Sequence, residues 1–200
     1  MKYNLAVGRR LLSDEDRYYL SVNLELEPGP FEGDPQAQAL YAVESNEIEI
    51  HSPIWTRAQV VSGLQTLAGS LGLRVRVVFR RQLDQCAFVG RGGGTVVLPE
   101  DRTHPSYRRL KPGDFLACTV LHEFAHVVVP CAFPDRPLQS HGPEFVRCYV
   151  ELLGLVMPTH RARESLGFLG VSMAPRPERY PLHDLTAVAW SQWRNPFLPF

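Results

Sequence analysis

Residues 120–130 read VLHEFAHVVVP, and within them His122 and His126 stand four positions apart with Glu123 directly after the first. Side chains at i and i+4 share one face of an α-helix, so this spacing presents two imidazoles to one point, as two ligands of a tetrahedral metal ion require. Glu123 is turned about 100° from His122 around the helix axis, which places it beside such an ion without making it a ligand. From there a carboxylate can take the proton of a metal-activated water. Zinc makes that water acidic enough to ionise near neutral pH, and the hydroxide attacks a polarised carbonyl. The run around the motif is strongly apolar, where a His-Glu-His cluster without a metal would bear a desolvation cost with no return. The motif therefore predicts metal binding, with Glu123 as general base.

A catalytic zinc needs a third protein ligand and an open position. A histidine six residues after the second does not supply it, because Ala132 stands there and Val129 occupies the glycine position of that pattern. Further on, SHGPEFVRCYVELLGLVM offers His141, Glu144 and Glu151. Gly142-Pro143 marks a helix start, so His141 precedes this helix and both glutamates lie on it. Spacing alone does not choose among the three. Cys118, one turn before His122 on the same face, reads as a buried free thiol. Tyr149, His160 and Arg161 are loose candidates for a donor to the oxyanion.

The motif must be carried by a helix. Gly113-Asp114 is the expected N-cap, Phe115 to Val129 contains no breaker, and Pro130 is expected to end the run. Upstream, DPQAQALYAVESN and TRAQVVSGLQTLAGSLG carry helical periodicity, the second opening at Thr56 as N-cap and closing at Gly72. LRVRVVFR and GGTVVLP read as strands that pair across the loop holding Gly90 to Gly94. The glycine run GRGGGT lacks the Lys-Ser/Thr ending of a phosphate loop and leads into a strand, so it reads as a tight bend or a close backbone approach. GGTVVLP beside it is a candidate edge for an extended substrate to join by strand addition. At the start of the chain, YLSVNLELEP alternates apolar and polar residues and forms a hairpin with YNLAV, ended by Pro28-Gly29-Pro30.

Composition bounds the rest. The 200 residues are 44% hydrophobic and 10% aromatic, enough for one sizeable core. No stretch resembles a secretion signal or a membrane span, and the expectation is a soluble, cytoplasmic protein. Cys86, Cys118, Cys131 and Cys148 form no Cys-x-x-Cys pair, which argues for reduced thiols over a zinc ribbon or a disulfide framework. Net charge is zero, with 21 basic and 21 acidic residues. Residues 1–50 nevertheless hold four basic and ten acidic side chains, and residues 72–111 nine basic against three acidic. The basic block is a candidate face for DNA, weighed against a solvated or internally covered one.

The segment from the strands through GRGGG, LHEFAH and HGPEF resembles the SprT/Spartan-like zinc metallopeptidases. Their pattern is a glycine-containing loop and strand, then His-Glu-x-x-His, then a downstream His-Gly-x-x-Phe. More narrowly, DPQAQALYAVE and HGPEFVRCYVELLGLVM resemble small metallohydrolases predicted from actinobacteria and their phages. The resemblance implies an α+β, zincin-like domain over residues 34–173, with a small twisted sheet, the motif helix and a following helix. It implies one zinc per chain held by His122, His126 and His141, Glu123 as the catalytic residue, Phe145 as the motif phenylalanine, and a protein or peptide substrate. Residues 1–33 are then a β-rich extension and residues 174–200 a proline- and aromatic-rich tail carrying Trp190, Trp193, Phe197 and Phe200. The zinc ribbon that follows many SprT domains is missing here. A different reading is a nucleic-acid-associated or protein-interaction module with a structural or vestigial metal, against which the intact Glu123 speaks.

Overall fold

The computed structural model describes residues 34–80, 86–90, 92–99 and 110–176. The expected N-terminal hairpin and the four large aromatics of the tail lie outside these residues. Helix α1 (Pro35–Val43) starts where Asp34 accepts from the N–H groups of Gln36 and Ala37 and where Pro35 supplies the preset φ of a first helical residue. It widens into a π turn (Glu44–Ile48) and tightens into a 3-10 turn (Glu49–His51). Strand β1 (Ile54–Thr56) leads into α2 (Arg57–Ser70). Thr56 caps α2 as expected. Its hydroxyl accepts from the Gln59 N–H, and the Gln59 side chain returns a bond to the Thr56 N–H, so two orphan donors are satisfied at once.

Strands β2 (Arg74–Arg80), β3 (Cys86–Gly90) and β4 (Gly93–Pro99) make one sheet in the order β2-β4-β3. The two expected strands do pair, but in parallel, from Arg74 opposite Gly93 to Arg80 opposite Pro99. A parallel pair needs a crossover, and β3 lies within it, antiparallel to β4. β4 is therefore the central strand. Its backbone is bonded on both sides, so the expectation that GGTVVLP receives a substrate strand is wrong. The glycines serve close approach instead. A Cβ on Gly93 would lie 1.9 Å from the Arg74 carbonyl oxygen, a separation that no side chain can occupy.

Strand β5 (Asp114–Leu116) pairs antiparallel with β1 and runs into α3 (Ala117–Ala132), the motif helix. Asp114 is thus strand and not N-cap. The helix begins three residues later than Asp114, its first N–H groups satisfied by the Pro53 carbonyl at Ala117 and the Ser52 hydroxyl at Cys118. Pro130 sits inside the last turn, which continues to Ala132. The residue that cannot donate falls where few intrahelical bonds are left to lose. Helix α4 (Pro143–Leu153) opens at Gly142-Pro143 as expected, and α5 (His160–Phe168) follows.

Thirteen of the sixteen residues of α3 are buried, with β3 and β4 on one side and α4 on the other. This explains why the motif helix is apolar nearly all round. The arrangement is α+β with a small sheet. No described helix is long and apolar enough to cross a membrane. Beyond α5 the chain returns to α4, where Ala174 donates its N–H to the Pro143 carbonyl and accepts from the Arg147 guanidinium.

Candidate metal centre

The three histidines selected by the resemblance come together. One ring nitrogen from each of His122, His126 and His141 lies within 4.8 Å of the others. His122 and His141 are buried and His126 is partly so. Helix α3 supplies the first two from successive turns, and the residue before the Gly142 cap of α4 supplies the third. The Gln36 side-chain amide donates to the His141 carbonyl at 3.0 Å and ties this residue to α1. Phe145, one turn into α4, is the shared floor, with its ring centroid 4.9, 4.4 and 4.9 Å from those of His122, His126 and His141.

The competing glutamates are engaged elsewhere. Glu144 pairs with Arg136 at 3.1 Å, and Glu151 pairs with Arg147 and Arg176 at 3.1 Å each. Cys118 is buried one turn from His122 with its sulfur 4.0 Å from the Thr119 hydroxyl, and burial pushes its thiol far up, so it stays a neutral packing group. Tyr149 is fully buried and donates to Glu44 at 2.5 Å, which removes it from any oxyanion role. His160 and Arg161 are exposed at the start of α5.

Glu44 is the residue that sequence reasoning missed. It stands at the start of the π turn, only 7% exposed, and its Oε1 accepts from His122 Nδ1 at 2.9 Å as well as from Tyr149. A carboxylate at Nδ1 places the proton there and turns the Nε2 lone pair towards the other histidines, the usual outer partner of a metal-binding imidazole. One signal was legible. Glu44 continues the face of α1 formed by Ala37 and Leu40, so it is a carboxylate on an otherwise apolar stripe. Tyr41, one turn before it, also reaches the site, with its hydroxyl 3.2 Å from His141 Nε2.

The donor set fits a cation. Burial, with the neighbouring histidines adding to it, pushes His126 down to about 3 and His141 down to about 4, so both imidazoles are neutral, the form that binds a metal ion. For His122, burial disfavours the charged form, but the Glu44 carboxylate outweighs it and raises the pKa. His122 Nε2 lies 3.2 Å from His141 Nε2, a contact that requires a proton between the two atoms. Two nitrogens on one tetrahedral zinc stand roughly 3.3 Å apart, close to the spacing of this pair, while the three ligand atoms together lie within 4.8 Å of one another.

Glu123, on the turn of α3 between the two histidines, is 4% exposed, and burial pushes its carboxyl up to about 7. Its side chain makes no hydrogen bond among the described residues. The arrangement can hold a metal ion with an uncommitted base beside it. Compared with known proteins, the chain matches no family model, no curated protein and no solved structure.

Proposed function

We propose that the protein is a zinc-dependent hydrolase of zincin-like fold, most simply a peptidase, with its chemistry centred on His122, His126, His141 and Glu123. The observation that carries this reading is the convergence of three imidazole nitrogens within 4.8 Å of one another, with an acidic residue beside them that is not itself one of the group. A purely structural site has no use for an unengaged, buried carboxylate at that position. Zinc held there supplies Lewis acidity, polarising a carbonyl and making water easier to ionise.

The chain's own residues do the rest. Glu123, held near neutrality by burial, is poised to accept a proton from the attacking water and to pass it to the leaving amine. Glu44 holds the proton of His122 on Nδ1, so that Nε2, which faces His141, would be the atom available to a metal ion. Phe145 packs beneath all three imidazoles and excludes water from that side.

Two measurements test the reading. Elemental analysis of purified protein is expected to give one zinc per chain, with large loss in His141→Ala and retention in Glu144→Ala and Glu151→Ala. Glu123→Gln should stay folded and zinc-loaded while cleavage of an unfolded protein such as casein falls by about 10²- to 10⁴-fold. A Glu123→Gln protein as active as the wild type removes the mechanism.

A further inference from the structure

Two of the three histidines take their place from helix α3, but the third does not. His141 lies in the turn before the Gly142 cap of α4, so its main chain stands outside the helical ladder and its aim depends on what holds that turn. Gln36 holds it from 105 positions away in sequence. It is the second residue of α1, half-buried, on a first turn fixed by the Asp34 cap and by Pro35. Its Nε2 donates to the His141 carbonyl at 3.0 Å, and its Oε1 accepts from the Ser172 N–H at 3.3 Å. A carbonyl only accepts and a backbone N–H only donates, so these two partners match the two ends of one amide.

Ser172 belongs to the segment that returns after α5, and that segment meets the start of α4 as well. The Ala174 N–H donates to the Pro143 carbonyl at 2.9 Å, and Arg147 Nε donates to the Ala174 carbonyl at 2.6 Å. The turn that carries His141 is therefore joined to one C-terminal segment twice, through Gln36 on one side and through Pro143 on the other. We propose that Gln36 is the positioning residue of His141, setting its main chain from α1 and from residues 171–176 so that the imidazole meets those of His122 and His126. The inference rests on the metal reading. A ligand whose main chain is already fixed binds an ion more tightly than one on a loose turn, because the turn need not be ordered when the ion arrives. Gln36 is uncharged and acts on the ligand's backbone, so it bears on the geometry of the site and not on its charge.

The test compares wild type with Gln36→Met, which keeps the side chain's length and helix preference and deletes both polar atoms. Ser172→Pro removes the exposed N–H from the bridge and leaves Gln36 in place. Thr56→Ala, which deletes the cap of α2 and leaves both Gln36 and Ser172, reports what lowered stability alone does. Zinc affinity is measured by chelator competition below the melting midpoint of each protein. Site geometry is read from the visible absorption of cobalt(II)-loaded protein, whose bands follow the arrangement of the ligands. The expected result is zinc affinity about tenfold weaker in Gln36→Met with an altered cobalt spectrum, a smaller loss in Ser172→Pro, and wild-type affinity and spectrum in Thr56→Ala. Wild-type affinity and spectrum in Gln36→Met overturn the proposal, whatever happens to its melting midpoint, and leave the metal site standing. An equal loss in Thr56→Ala assigns the effect to stability and also overturns it. Unchanged affinity and spectrum in Ser172→Pro overturn the part given to the C-terminal segment and, should Gln36→Met fail to fold, the proposal as a whole. Wild-type protein that binds no zinc overturns the metal reading itself, and the inference with it.

Discussion

At the scale of single residues, the site divides into what spacing can reveal and what only folding assembles. His122, Glu123 and His126 are legible because one helix turn carries them and helical geometry is known in advance. His141 needed the resemblance, since residues alone left Glu144 and Glu151 open; the structure separates them by their arginine partners. Glu44 lies 78 positions from His122, and no local period connects the two. Its role yields a prediction. Glu44→Ala removes the acceptor of His122 Nδ1, frees the imidazole to turn or change tautomer, and strands the buried Tyr149 hydroxyl. Zinc affinity measured against a chelator should fall by about 10- to 100-fold, the usual effect of deleting an outer-shell partner, while Tyr149→Phe, which leaves the His122 bond intact, should lose less. Equal zinc affinity in Glu44→Ala and wild type would show that His122 needs no anchor.

At the scale of elements, helices were easier to read than the sheet. Thr56 and Gly142-Pro143 announce their helices through local chemistry, and the structure uses both. The start of α3 was misplaced because its first donors are satisfied by Ser52 and Pro53, far away in sequence, and Asp114 is drawn into a strand by β1. That β2 and β4 pair was expected, but their parallel direction was missed for a similar reason: alternation marks a strand but not its direction. Gly93 tests that pairing. Gly93→Ala drives a methyl group into the Arg74 backbone, where neither partner is a flexible side chain, and overpacking of this kind costs about 1–3 kcal/mol, roughly 2–12 °C in melting temperature. Gly69→Ala is the control. Its added methyl group meets nothing within 4 Å, and within α2 alanine is favoured over glycine, so its melting temperature should hold or rise.

At the scale of the whole molecule, the question is whether the uneven charge amounts to a partner surface. In β2, Arg74, Arg76 and Arg80 are exposed, while Val75, Val77 and Phe79 turn to the core, so the strand's alternation places these three arginines on one outward face. Lys111 is exposed as well, and Arg81, Arg91, Arg102, Arg108 and Arg109 lie outside the described residues. Three or four phosphate contacts would give a slope of about −3 in log affinity against log salt, a sequence-independent binding that typically sits at micromolar dissociation constants or weaker. With a net charge of zero there is no global field to add to it. Weak, salt-sensitive DNA binding is therefore expected, measured by fluorescence anisotropy with a labelled duplex and a labelled single strand across a salt series. Arg74→Glu with Arg76→Glu should flatten the slope by about two contacts and leave zinc content untouched, because neither residue belongs to the histidine group. Submicromolar affinity at physiological salt would exceed what this strand can supply and would make DNA a partner in its own right, bringing a peptidase acting on DNA-associated proteins to the front.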